Sequence, residues 1–269
     1  MVYYKTEDEI ELIRESCLLV SKTLTLVATH LKPGITGAYL DSKAEEFIRD
    51  HKAIPGFKGY GGFPSTLCIS VNDQVVHGIP NDKEFTETDI VSVDCGVLMN
   101  EFYGDAAFTF ALNGVNEETM ELLVTTKDSL YIAIEAAKVG NRIGDIGHSV
   151  QNHAEKLHKY GVVRELVGHG IGKNLHESPE VPNYGKRGRG PLIKTGLVIA
   201  IEPMVNLGVK EVRQDDDGWT IITRDNKPSA HYEHTVAIKS DKTDILSDHV
   251  IVEEAVKNNA ELKEISLKN

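Results

Sequence analysis

The sequence predicts an α+β fold in which an antiparallel sheet is flanked by helices and the whole pattern is built twice, giving internal pseudo-two-fold symmetry. Three observations lead there. Two stretches of helical periodicity are each followed by short β-branched strands broken by Gly, Pro and Asn. The two strand regions also present their chemistry in the same order. The first reads VVHGIP (75–80), then IVSVD ending at Asp94, then YGDAAFTF carrying Asp105. The second reads LHESP (175–179), then LVIAIE ending at Glu202, then HYEHTVAI carrying Glu233. Finally, no linker-like composition separates the halves, so the 269 residues read as one domain, with a core over about 5–240 and a polar, charge-rich C-terminal tail over 252–269 that is at most a frayed helix.

The elements follow in order. Thr6 and Glu9 form a capping-box pair, and Ile10, Ile13, Cys17, Val20, Leu24 and Val27 recur at helical spacing. Pro33-Gly34 ends this helix. Thr36 caps a second one carrying Leu40, Ala44, Phe47 and Ile48. In the second half a long amphipathic helix spans about 117–138. After Gly140 another is predicted through Ile143, Ile146, Val150, Ala154 and Leu157.

Hydrophobic content of 41% and charged content of 26% suit a globular protein with a real core. A net charge of −12 argues against broad attraction to DNA or an anionic membrane, and no apolar run approaches membrane-spanning length. Three cysteines, Cys17, Cys68 and Cys95, are odd in number and lack zinc-site spacing, which points to a reducing, cytoplasmic setting. Lys186, Arg187 and Arg189 concentrate positive charge in the Gly-rich stretch YGKRGRGP (184–191). As a solvated turn it needs no function; as a contact it would meet an anionic partner.

Carboxylates at the ends of apolar strands are costly to bury alone, and divalent cations relieve that cost. Asp94 and Asp105 are equidistant from Met99-Asn100, so a tight turn there would set them directly opposite on one face of a hairpin. Glu202 and Glu233 are equidistant from Asp217-Gly218, a strong hairpin dipeptide, although Pro228 within the span predicts bulges or breaks. His169, between glycines in GHGIG (168–172), is the imidazole candidate. His30, His51, His148, His153 and His158 read as ordinary core or surface residues. Four carboxylates and one imidazole form a hard donor set suited to Mn, Fe(II) or Co, with Zn also compatible. Two cations held by such ligands can activate water and polarise a carbonyl, which points to hydrolysis.

The stretches CISVNDQVVHGIP (68–80), GHGIGKNLHESP (168–179), IEPM (201–204), DGWT (217–220) and YEHT (232–235) resemble the motifs of type I methionine aminopeptidases, of the pita-bread (creatinase-like) fold. The likeness runs over about residues 5–240. It implies a dinuclear site with Asp94, Asp105, His169, Glu202 and Glu233 as ligands, Asp105 and Glu233 bridging. It also implies that His77 and His176 hydrogen-bond the substrate and the tetrahedral intermediate, and that Glu202 moves the proton. A methionine pocket would be lined by Tyr60, Phe63, Cys68 and Trp219. The implied activity is removal of the initiator methionine from nascent polypeptides whose second residue is small, by a monomer. Because such a substrate emerges from the ribosome, the three cations Lys186, Arg187 and Arg189 in an otherwise acidic chain are the candidate contact for ribosomal RNA or protein.

Three positions depart from the family pattern: Phe63 where Tyr is frequent, Leu175 where an aromatic is, and His231 where glutamine is common in bacterial members. The first two bear on substrate preference and His231 on the pH optimum. Relatives on the same fold frame the alternatives. Prolidases and aminopeptidase P carry an additional N-terminal domain for which this chain leaves no room. The type II enzymes carry a helical insertion not seen between Glu202 and Glu233. A non-catalytic pita-bread binding protein would have lost ligands that are all present here.

Overall fold

The computed structural model describes residues 1–266. The predicted alternation of helices and antiparallel strands is found in both halves. Helix α1 (Glu7–His30) starts at the expected capping box: Thr6 Oγ1 accepts from the Glu9 N–H, and the Thr6 N–H donates to the Glu9 carboxylate. Its apolar stripe, Ile10 through Val27, is buried. Thr36 caps α2 (Gly37–Asp50), and Asn116 caps α3 (Glu117–Ala136). Helix α4 (Ile143–Gln151) is shorter than its periodicity predicts, because Asn152–Leu157 widens into a π-helical turn.

Two five-stranded sheets carry the pseudo-symmetry. In the first, strand Ile90–Met99 pairs with Phe102–Leu112 on one side and Leu67–Val71 on the other. In the second, Val198–Ile201 lies between His234–Ile238 and Gly168–Gly170, with Glu177–Val181 at the edge. One cluster of buried apolar side chains draws on both halves, from Val20 and Leu24 of α1 to Leu130 of α3 and Val236 of the second sheet. Two smaller three-stranded sheets join the long excursion between Ile201 and His234 to strands Gln74–Val76 and Gly161–Val162.

The first hairpin corrects the predicted register. Its two-residue turn is Asn100-Glu101, both with positive φ (52° and 67°), and Met99 pairs with Phe102. Asp94 therefore faces Ala107, and Asp105 faces Gly96. The aspartates are diagonal, not opposite. The shift is two residues, so side-chain alternation still leaves both on one face.

The second hairpin keeps the predicted register throughout. Val198 pairs with Ala237, Met204 with His231 and Gln214 with Ile221, all centred on Asp217-Gly218. Glu202 and Glu233 sit opposite each other in an interruption of this ladder. Pro203, beside Glu202, has no N–H to donate there.

The segment read as a polar tail is ordered as far as it is described. Helix α5 (Val250–Asn258) buries Val252, Ala255 and Val256, and Leu262–Lys263 pairs with the edge of strand Phe102–Leu112. The tail's last residues, 267–269, lie outside the described residues.

Candidate metal centre

Strand geometry brings four carboxylates to one place. Asp94 and Asp105 project from the first hairpin, while Glu202 and Glu233 project from the ladder gap of the second. The Glu233 N–H crosses to the Ala107 carbonyl (2.9 Å), tying the second hairpin to the first beside Asp105. His169 enters from strand Gly168–Gly170, and its flanking glycines are obligatory. A Cβ at position 168 would lie 2.4 Å from the Ala200 carbonyl oxygen, and one at 170 would lie 2.5 Å from that of Ser178.

The His169 Nδ1–H donates to the Gly170 carbonyl (2.9 Å), since a carbonyl oxygen can only accept. The Nε2 lone pair is thereby aimed at Glu202 Oε1 (3.6 Å) and Asp105 Oδ2 (3.9 Å). Lone pair against an ionised carboxylate is repulsive, and a shared proton or a cation between them relieves it. The carboxylates tell the same story: Asp94 Oδ1, Asp105 Oδ1 and Glu233 Oε1 are buried without any hydrogen-bond partner. One donor atom from each of Asp105, His169 and Glu233 falls within 4.8 Å of the others. These donors fit a divalent cation.

Electrostatics agree. Burial pushes the Asp94 carboxyl up to about 7, with Glu202 adding to the rise and His231 opposing it. Burial raises Glu202 to about 8. Asp105 and Glu233 are held well above the ordinary carboxylate range by burial and by the neighbouring carboxylates. Burial lowers His169 to about 3 and His77 to about 4, with nearby histidines contributing, so both rings are neutral at pH 7. Crowded carboxylates that resist ionising alone, beside a neutral imidazole, are the electrostatic pattern of a cation site.

The cluster forms the floor of a cavity of about 430 Å³, which every sequence-predicted site residue lines: His77, His176, Tyr60, Phe63, Cys68 and Trp219 as well as the five donors. Phe63 and Trp219 pack edge to face, 5.3 Å between ring centres, with Cys68 buried alongside. His77 has a left-handed backbone (φ 59°), a strained conformation that turns its ring out of strand Gln74–Val76 toward the cavity. Gly78 behind it is packed so tightly that a Cβ would lie 2.2 Å from the Ile69 carbonyl oxygen. His176 is anchored by its neighbour: Glu177 makes a buried ion pair with Lys5 (2.5 Å) and accepts from the Asn174 N–H (3.2 Å).

Of the positions that depart from the family pattern, Leu175 is buried beside His176, and His231 lies with Nε2 3.6 Å from Glu202 Oε2. The sequence reading missed Lys5, whose partner lies 172 residues away. It also missed Leu166 and Val167, which line the cavity just ahead of GHGIG. Their apolar character in front of a Gly-rich motif was the available signal.

Residues 11–240 match metallopeptidase family M24. The chain belongs to that family. A methionine aminopeptidase of Clostridium acetobutylicum is 49% identical over 248 residues, spanning 92% of this chain and 99% of the relative. The crystal structure of methionine aminopeptidase from Thermotoga maritima superposes with a TM-score of 0.90 at 40% identity, covering 92% of this chain and all of that one. A prolidase from Pyrococcus furiosus, at 23% identity and a TM-score of 0.72, shares the fold; the match covers 91% of this chain and 65% of the prolidase. The architecture is thus the pita-bread fold, and the protein is a metallopeptidase that works with divalent metal ions. Among the described residues no helix is long and apolar enough to cross a membrane.

Proposed function

We propose that this metallopeptidase is a methionyl aminopeptidase that removes the initiator methionine from new polypeptides when the second residue is small. The observation that carries the reading is the meeting, in one cavity, of a cation donor set with an apolar wall of Phe63, Cys68 and Trp219. A thioether packs well against aromatic edges and a thiol. Asp94, Asp105, His169, Glu202 and Glu233 would hold two divalent cations, and Mn, Fe(II) or Co are the metals that suit these donors, Zn being compatible. When bound, such ions supply a nucleophilic water at neutral pH and polarise the scissile carbonyl.

The protein's own groups do the rest. Glu202 lines the cavity beside His169, where its carboxylate can carry a proton between nucleophile and leaving amine. His77 and His176 reach the cavity from opposite halves and act as donors to the carbonyl oxygen as it gains negative charge. The site is complete within one chain and needs no residue from a second copy, and we take the enzyme to act as a monomer. The cysteines are free and buried, which supports a cytoplasmic location. Lys186, Arg187 and Arg189 are exposed and form no ion pair among the described residues, which supports contact with the ribosome from which the substrate emerges. Equal co-sedimentation of a Lys186→Glu, Arg187→Glu, Arg189→Glu variant with ribosomes would remove that part of the reading.

The main test is methionine release from Met-Ala-Ser and Met-Lys-Ser by protein stripped of metal and reloaded with Mn or Co. Release from the first peptide only, and only with metal, is expected. Release from neither under any metal would overturn the proposed activity.

A further inference from the structure

We propose that Tyr60 is a positioning residue for His176, fixing through its hydroxyl which ring nitrogen carries the proton that is offered to the substrate. The inference rests on the reading of His176 as a donor to the substrate carbonyl. In the sequence Tyr60 reads only as wall for a methionine side chain. The wall aromatics Phe63 and Trp219 pack against each other, whereas the Tyr60 hydroxyl lies 3.0 Å from His176 Nδ1. The two rings meet edge to face at 5.2 Å. Among the described residues that hydroxyl is the hydrogen-bond partner of the His176 ring.

A phenol is a better donor than acceptor, and a neutral imidazole nitrogen is a good acceptor, so the hydroxyl donates and Nδ1 receives. The ring's single proton is then on Nε2. The same logic operates next door, where Gly170 holds the opposite arrangement for His169: proton on Nδ1, lone pair on Nε2. The two rings stand nearly perpendicular, 4.3 Å apart, one prepared to accept and the other to donate. The turn that aims Tyr60 is built for the task. It is closed by bonds from the Tyr60 N–H to the Phe57 carbonyl, from the Phe63 N–H to the Tyr60 carbonyl and from the Gly59 N–H to the Phe63 carbonyl. Gly59, Gly61 and Gly62 all take positive φ there, which a side chain would strain.

The test is Tyr60→Phe, which keeps the ring and deletes the hydroxyl at an exposed position where folding is not at risk. On Met-Ala-Ser, kcat is expected to fall about three- to tenfold, the range of one net hydrogen bond, with KM within about twofold of the parent. In the zinc-loaded, diamagnetic protein, the ¹⁵N resonance of His176 Nδ1 should move toward that of an unbonded lone pair. A mere wall residue would change KM and leave that resonance in place. An unchanged kcat or an unmoved resonance overturns the proposal, provided His176→Ala is inactive. If His176→Ala keeps the parental kcat, the role read for His176 has failed instead.

Discussion

The two hairpins that hold the carboxylates reach the same end by different means. The first is short and continuous: its ladder runs without a break from Ile90↔Ala111 to Met99↔Phe102, and both aspartates sit within it. The second keeps one register over a far longer span, but its two glutamates occupy a gap, flanked by His234↔Ile201 on one side and Met204↔His231 on the other. Inside the ladder every second backbone group bonds the neighbouring strand and the others point outward, among them the Ala107 carbonyl. In the gap the Glu233 N–H turns away from its own hairpin and bonds that Ala107 carbonyl of the first. One half thus supplies a rigid platform and the other a side that docks onto it. The long second hairpin also carries Trp219, at its tip, back over the cavity.

If that division is right, the gap residue should be removable without harm to the fold. Glu202→Gln is expected to lower kcat by about 10²- to 10⁴-fold, the usual contribution of a positioned acid–base group, with a melting temperature close to the parent's. A large loss of melting temperature would mean that Glu202 is part of the scaffold. Asp105 belongs to the platform, with an unpartnered buried oxygen. Asp105→Asn should weaken divalent-metal binding by at least about 100-fold in titration calorimetry, since even changes to the groups that orient ligands cost 10–100-fold. His77→Ala should instead leave metal binding intact while turnover falls, and loss of metal would contradict its role.

The platform and the docked side also share a charge problem that pH exposes. In protein stripped of metal, Asp94 and Glu202 are raised to about 7 and about 8, above their unfolded values. A carboxyl raised in the folded state gives stability that is present below its unfolded value and is lost as pH rises through the folded one. The depressed histidines His169 and His77 act oppositely, but only below about 6.5, where the unfolded histidine still binds a proton. Between about pH 6.5 and 8.5 the carboxylates therefore dominate. Unfolding of the stripped protein should lose on the order of 1–2 kcal/mol per pH unit there, and saturating divalent metal should flatten the slope. A flat profile without metal would show that the carboxylates are not crowded.

Much of this was legible in the sequence because the chemistry is concentrated in short motifs. The second hairpin's register could be read from its turn, since Asp217-Gly218 announces it and the pairs keep that centre from Gln214↔Ile221 out to Val198↔Ala237. The first hairpin's could not. A glutamate at a left-handed turn position gives no local sign of itself, so the turn was placed one residue early and the partners two residues off. What survived the error was the face, because strand alternation repeats every two residues. The C-terminal segment was legible only as a frayed helix, and its packing was not, for another reason. Val252, Ala255, Val256 and Leu262 are spaced for burial, but the charges between them dominate the composition, and only the α1 surface and the free sheet edge make burial possible. Lys5–Glu177 is beyond any local pattern.

The smallest effect tests the first hairpin at its turn. Asn100 and Glu101 both hold positive φ, as a type I′ turn requires, and asparagine tolerates this better than glutamate. A left-handed conformation costs an ordinary L-residue about 1–2 kcal/mol, whereas glycine pays nothing there but loses about 0.5–1 kcal/mol through its freer unfolded chain. Glu101→Gly, which creates the favoured Asn-Gly pair, should therefore stabilise the protein by about 0.5–1 kcal/mol. The ion pair it removes, Lys173–Glu101 at 3.6 Å, is exposed and contributes little. The melting temperature should rise by about 1–4 °C. Turnover should not change, because the ladder between the turn and Asp94 is complete and transmits no slack. If turnover did change with stability, the first hairpin would not be the rigid partner, and the register of Asp94 and Asp105 would depend on a turn strained for function.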